Sequence, residues 1–190
     1  HSKNYFIGNV AIKALGFISV PVFTRLMSQE AFGIVRVFAS NIGIMVVLLT
    51  LNSSQGVARH FFDEEVNFNQ YLSSVLFFNL ILLAITIPLL YLFAKPLADL
   101  FGLPELVTQL FGLAVIPIVI RNIFSQVHTA DKQSKLLPIV NSSMGYSSLA
   151  ARTIGVLLLS KAKYLGHIIG HVFIGLIFSG YMLSRIKRYS

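Results

Sequence analysis

Hydrophobic positions in this chain fall in long continuous runs, not in the alternation of a half-buried strand. A helix crossing the hydrocarbon of a bilayer needs about 20 mostly apolar residues. Six runs qualify, at residues 5–23, 33–51, 71–94, 106–124, 137–159 and 165–183. Each is about twice the length of a barrel strand, and none alternates, so a β-barrel is disfavoured. The pattern predicts an all-α, polytopic membrane protein with about six transmembrane helices. The fifth run is the most polar, because Asn141, Ser142, Ser143, Ser147, Ser148 and Arg152 interrupt it. Between the third and fourth runs, Phe101–Pro104 and its flanks read as a short amphipathic surface segment.

Composition agrees with that reading. Of 190 residues, 55% are hydrophobic and only 12% charged, about half the ~25% charge of a soluble domain. Most of the chain lies in the runs, which leaves no room for a separate soluble domain. The absence of Cys excludes disulfide scaffolds, thiolate zinc sites and a Cys nucleophile. The net charge of +8 would suggest nucleic acid in a soluble protein, but hydropathy decides first and no nucleic-acid partner is expected. The basic residues are unevenly divided between the two sides. One side holds Lys3, Arg59, Arg121, Lys132, Lys135, Arg185, Lys187 and Arg188, and the other holds Arg25, Lys95, Lys161 and Lys163. The positive-inside rule then puts both termini in the cytoplasm. Lys13 inside the first run, with no small-residue cleavage site after it, argues against a signal peptide. The chain starts at His1 and stops after a basic cluster, so it is expected to be a fragment forming one helical lobe over 1–190.

Three cations are read as membrane-embedded: Lys13, Arg36 and Arg152, while Arg121, three residues from the end of the fourth run, is counted with the cytoplasmic side. A Lys or Arg at the bilayer centre costs about 2.5–3.5 kcal/mol on insertion scales, and no Asp or Glu lies well inside any run to pair with them. Unpaired cations lining a wet cavity suit an anionic ligand such as a phosphate or diphosphate. They do not suit proton relays or sodium sites built from carboxylates. The competing reading is snorkelling to the headgroups, and it is strongest for Arg36, about one turn from a helix end. His167 and His171 stand four apart on one helical face, a metal-ligand spacing. They lack a third ligand, so they are expected to face a neighbouring helix or the cavity, with no metal or other cofactor. Small residues at packing spacings, Ala39 with Gly43 and Gly166 with Gly170, then Gly175 and Gly180, predict close helix approach. Pro21, Pro88, Pro117 and Pro138 lie in or at the ends of runs and are candidate kinks. No P-loop, dinucleotide fingerprint or nucleophile elbow occurs. The acidic cluster Asp63-Glu64-Glu65 reads as a solvated charge run, and no enzymatic activity is expected.

The segment joining the first two runs is more specific. Pro21-Val22-Phe23-Thr24-Arg25-Leu26-Met27-Ser28-Gln29-Glu30-Ala31-Phe32-Gly33 resembles the "pl-TR-Ls-eeyG" signature of bacterial polysaccharide flippases. These are the O-antigen and capsule repeat-unit translocases of the multidrug/oligosaccharidyl-lipid/polysaccharide exporter superfamily. Gly56-Val57-Ala58-Arg59-His60-Phe61-Phe62-Asp63-Glu64-Glu65 is similar to that family's "g-a-Ryf-e" stretch. The resemblance implies a two-lobed fold around a central cavity, with this chain supplying the first lobe. It also implies a substrate, a polyprenyl diphosphate carrying an oligosaccharide, moved across the bacterial inner membrane by alternating access. Family cavities are basic, which agrees with Lys13, Arg36 and Arg152. Arg25 and Arg59 are the motif-matched arginines, with gating, lobe contact or substrate binding open to each. The implied partners are the lipid-linked oligosaccharide, the bilayer, and a second lobe or another copy of the chain. Alternatives are a lipid II-type or multidrug exporter of the same superfamily, a membrane enzyme of polysaccharide assembly, and a truncated lobe without transport.

Overall fold

A computed structural model describes residues 14, 16–50, 53, 55–62, 67–131 and 136–188. Among these, helices are the only regular elements. They are α1 (Gly16–Leu26), α2 (Gln29–Thr50), α3 (Gln55–His60), α4 (Phe68–Leu92), α5 (Ala94–Phe101), α6 (Glu105–Gln109), α7 (Phe111–Ala130), α8 (Leu136–Leu158) and α9 (Lys163–Ile186). Among the described residues, four stretches are long and apolar enough to cross a membrane: Gln29–Leu48, Phe68–Leu92, Glu105–Ala130 and Lys163–Ile186. Helix α8 matches them in length, with 23 residues or about 34 Å, but its polar run makes it less apolar. The protein is therefore an all-α polytopic membrane protein.

Helix ends differ from the hydropathy boundaries because polar caps, not apolar residues, set them. Helix α2 begins one turn earlier than its apolar run because Ser28 caps it, with the Ala31 N–H donating to Ser28 Oγ at 3.2 Å. Asn67 does the same for α4, accepting from the Gln70 N–H at 3.4 Å. Pro88 and Pro117 lie inside α4 and α7. Pro138 falls in the first turn of α8, where the missing N–H would have had no helical partner. The amphipathic segment is α5 itself, upstream of the turn at Gly102-Leu103-Pro104. Gly102 ends it in the left-handed conformation, φ +62°, and the Leu103 N–H returns to the Ala98 carbonyl at 3.0 Å. Ala94 and Ala98 are buried, while Leu100 is 74% exposed.

One expectation needs correction. The fourth helical stretch runs on to Ala130 instead of ending near Phe124. Arg121 therefore lies about 13 Å inside the helix, not in a cytoplasmic loop. Its last turns survive with polar residues because protein surrounds them. Val127, His128 and Ala130 are buried, and His128 Nδ1 donates to the Phe124 carbonyl at 3.0 Å.

The chain divides into two compact units, one of residues up to Val37 with Gln133–Ile177, the other of Phe38–Lys132 with the residues from Phe178 on. In the second, α7 lies against α3 and α4, and α5 against α6. Phe111, Val115, Phe124, Val57 and Leu72 form its core, with Phe38 stacked on Phe111 at 5.1 Å. Thr108 Oγ1 donates to the Ala94 carbonyl at 2.8 Å and ties α6 to α5.

In the first unit α8 and α9 form an antiparallel pair joined by a short turn. Their backbones touch where Gly155 meets Gly166, and a Cβ at Gly170 would lie 2.6 Å from the Ala151 carbonyl. The Gly166/Gly170 spacing thus marks a true close approach. Gly43 and Gly180 face open space, so the same pattern at those positions does not.

Candidate functional site

The first unit gathers several polar groups of the predicted spans. A spacing of four puts Ser148 and Arg152 on one face of α8, and His167 and His171 on one face of α9. Gly155, Gly166 and Gly170 bring the two helices close enough for those faces to interact. Ser148 Oγ and His171 Nδ1 share a hydrogen bond of 2.9 Å, and Arg152 Nε donates to the Ser148 carbonyl at 3.1 Å. Ser148 and His167 are buried, Arg152 is half-buried and His171 is exposed.

Helix α1 supplies the third wall. Phe23, only 1% exposed, lies under the Arg152 guanidinium, whose Cζ is 5.4 Å from the ring centroid. That is a cation–π arrangement. The same ring meets His167 edge-on, with centroids 4.4 Å apart. One aromatic ring thus bridges the cation of α8 and the imidazole of α9. Arg36 of α2 is exposed and reaches back over Phe32, with its Cζ 4.8 Å from that ring. Arg152, His171 and Arg36 all lie close enough to His167 for their charges to act on it.

The electrostatics of this cluster are one-sided. The sequence has no Asp or Glu after Asp131, and in the segments that make up this unit Glu30 is the one carboxylate. Among the described residues Arg152 is held by a carbonyl and a ring face, not by a carboxylate. Both partners leave most of its five donors available to an anion. A guanidinium presenting a planar fork beside imidazoles can take phosphate or diphosphate oxygens bidentately.

Of the sequence-singled residues, Arg152 shares the Phe23 ring with the buried His167 imidazole, while Arg36 lies over Phe32. Lys13 and the cluster Asp63-Glu64-Glu65 lie outside the described residues. Arg25 is exposed in the last turn of α1, and Arg59 is exposed on α3 in the second unit. Arg121 is a further helix-embedded cation, exposed on α7. The histidine pair faces neighbouring helices, His171 towards Ser148 of α8 and His167 towards Phe23 of α1, and no cluster of three or more metal-ligating side chains forms among the described residues. Sequence reasoning passed over Phe23 and gave Ser148 no specific partner. An aromatic residue two positions before the motif arginine, and a serine one helical turn from Arg152, were the available signals.

A family model described as polysaccharide biosynthesis protein matches residues 4–189. No curated protein and no solved structure matches the chain.

Proposed function

This chain belongs to the polysaccharide biosynthesis protein family, and on that footing we propose that it moves polyprenyl-diphosphate-linked oligosaccharide across the bacterial inner membrane. A role in polysaccharide synthesis or export follows from the membership itself. The finer reading rests on one observation, the half-buried Arg152 that stands among imidazoles and a ring face with no carboxylate partner among the described residues.

In this mechanism the diphosphate is drawn to Arg152, with Arg36 and Lys13 as further cations on its path. The polyprenyl tail stays in lipid while the sugars cross in a wet passage. A diphosphate is thereby never exposed to hydrocarbon, where the loss of hydration would be prohibitive. Access alternates between the two faces by movement of this lobe against a second lobe or another copy. Arg25 and Arg59, at helix ends, act in gating or as first contacts for the headgroup. Both termini face the cytoplasm in this scheme. The protein works as a transporter, not an enzyme, and needs no cofactor.

The test is export of surface glycan in cells that depend on this protein. Replacing Lys13 and Arg152 together by Ala is expected to reduce export while the protein level in the membrane is unchanged. Wild-type export from a stable double variant would overturn the role given to these cations.

A further inference from the structure

Where α1 hands over to α2 and α8 to α9, the two turns border an open, surface-facing cavity of about 320 Å³, at which Ser28, Glu30, Ser160 and Lys161 are exposed. That is the small end of the ~300–1,000 Å³ typical of ligand sites. Its polar lining is Ser28 and Glu30 at the start of α2, Ser160 and Lys161 in the α8–α9 turn, and Lys163 and Tyr164 at the start of α9. The flippase-like segment thus contributes Ser28 and Glu30 to a site separate from the Arg152 cluster.

Both signs of charge line this cavity, but they do not neutralise each other. No ion pair joins Glu30 to Lys161 or Lys163 among the described residues. Lys163 is fixed by donating from Nζ to the Leu26 carbonyl at 2.7 Å, which leaves two of its three donors for a ligand. Unpaired charges of opposite sign on one cavity wall suit a molecule that carries both. Lys161 and Lys163 suit a phosphate, as do the hydroxyls of Ser160 and Tyr164. The N-terminal ends of α2 and α9 add positive potential there. Glu30 suits a primary ammonium, which supplies both charge and N–H donors. The turns lie where helices leave the hydrocarbon, at the depth of lipid headgroups.

We propose that this cavity binds the phosphoethanolamine headgroup of a membrane phospholipid, with phosphate on Lys161 and Lys163 and ammonium on Glu30. A phosphoglycerol headgroup would bring no ammonium to Glu30. A phosphocholine headgroup would bring a cation with no N–H to donate. The site stands independently of the transport reading, since none of its residues belongs to the cation cluster.

Native mass spectrometry of the detergent-purified chain, with phosphatidylethanolamine, phosphatidylglycerol and phosphatidylcholine added in equal amounts, tests it. The wild type is expected to retain phosphatidylethanolamine in preference to the other two. Glu30→Gln, nearly isosteric, is expected to lose that preference by about tenfold, the scale of one charge-assisted hydrogen bond, while still retaining phosphatidylglycerol. Lys161→Gln, at an exposed side chain, is expected to weaken retention of both phospholipids. Unchanged helical circular dichroism establishes that each variant is folded. No preference in the wild type, an intact preference in Glu30→Gln, loss of both lipids in that variant, or unchanged retention in Lys161→Gln would each overturn the proposal.

Discussion

At the scale of single residues, Arg152 carries most of the functional argument. Its guanidinium sits over Phe23 and its Nε is held by the Ser148 carbonyl, so it is positioned without being neutralised. Replacement by Ala removes charge and fork together, whereas Lys keeps the charge and loses the planar, bidentate geometry. Export is expected to fall about tenfold or more in Arg152→Ala and to be intermediate in Arg152→Lys, since hydrogen bonds to charged groups contribute about 1.5–3 kcal/mol. Phe23→Leu keeps the volume apolar and removes the ring face. The cation–π contribution is about 0.5–2 kcal/mol, so a smaller loss of export is expected at normal membrane levels. Glycan export and membrane protein level, measured side by side, check all three. The cations themselves were plain in the sequence, because a charged residue in an apolar run has no bland composition to hide in. Their partners were not. Whether Ser148 meets His171 depends on the register of α8 against α9, and no periodicity within either helix fixes that register.

At the scale of elements, the α8–α9 pair depends on backbone contact at Gly155, Gly166 and Gly170. Any larger side chain at Gly166 must push the helices apart, because the obstruction is backbone and cannot rotate away. Gly166→Leu is expected to destabilise by at least the ~1–3 kcal/mol of ordinary overpacking. Gly43→Ala meets nothing and is expected to be neutral, or stabilising by up to about 1 kcal/mol through helix propensity. Thermal unfolding in one detergent checks the contrast. A comparable loss of stability in both variants would mean that the close approach is not specific to α8 and α9. Element existence was legible because a bilayer requires internally hydrogen-bonded backbone, and long apolar helices are the simplest way to meet that demand. Element ends were less so. Ser28 and Asn67 extend helices beyond their apolar runs by capping them, and the buried His128 and Val127 let α7 carry Arg121 within it.

At the scale of the whole molecule, the protein is a helical membrane protein of the polysaccharide biosynthesis family. In the orientation proposed above, for which the distribution of basic residues is the support, the termini lie in the cytoplasm and the Lys161/Lys163 turn outside. The chain contains no Cys, so single introduced cysteines give an unambiguous readout. Ser160→Cys is expected to react with a membrane-impermeant maleimide in intact cells, and Ser190→Cys only after the membrane is opened. The reverse pattern would invert the orientation. The central claim, that a diphosphate is held at Arg152, is tested most directly by native mass spectrometry of the purified chain with a short polyprenyl diphosphate and the matching uncharged polyprenol. The wild type is expected to retain the diphosphate over the alcohol, and Arg152→Ala to lose about tenfold of that retention. Equal retention of the diphosphate by wild type and Arg152→Ala would contradict the account.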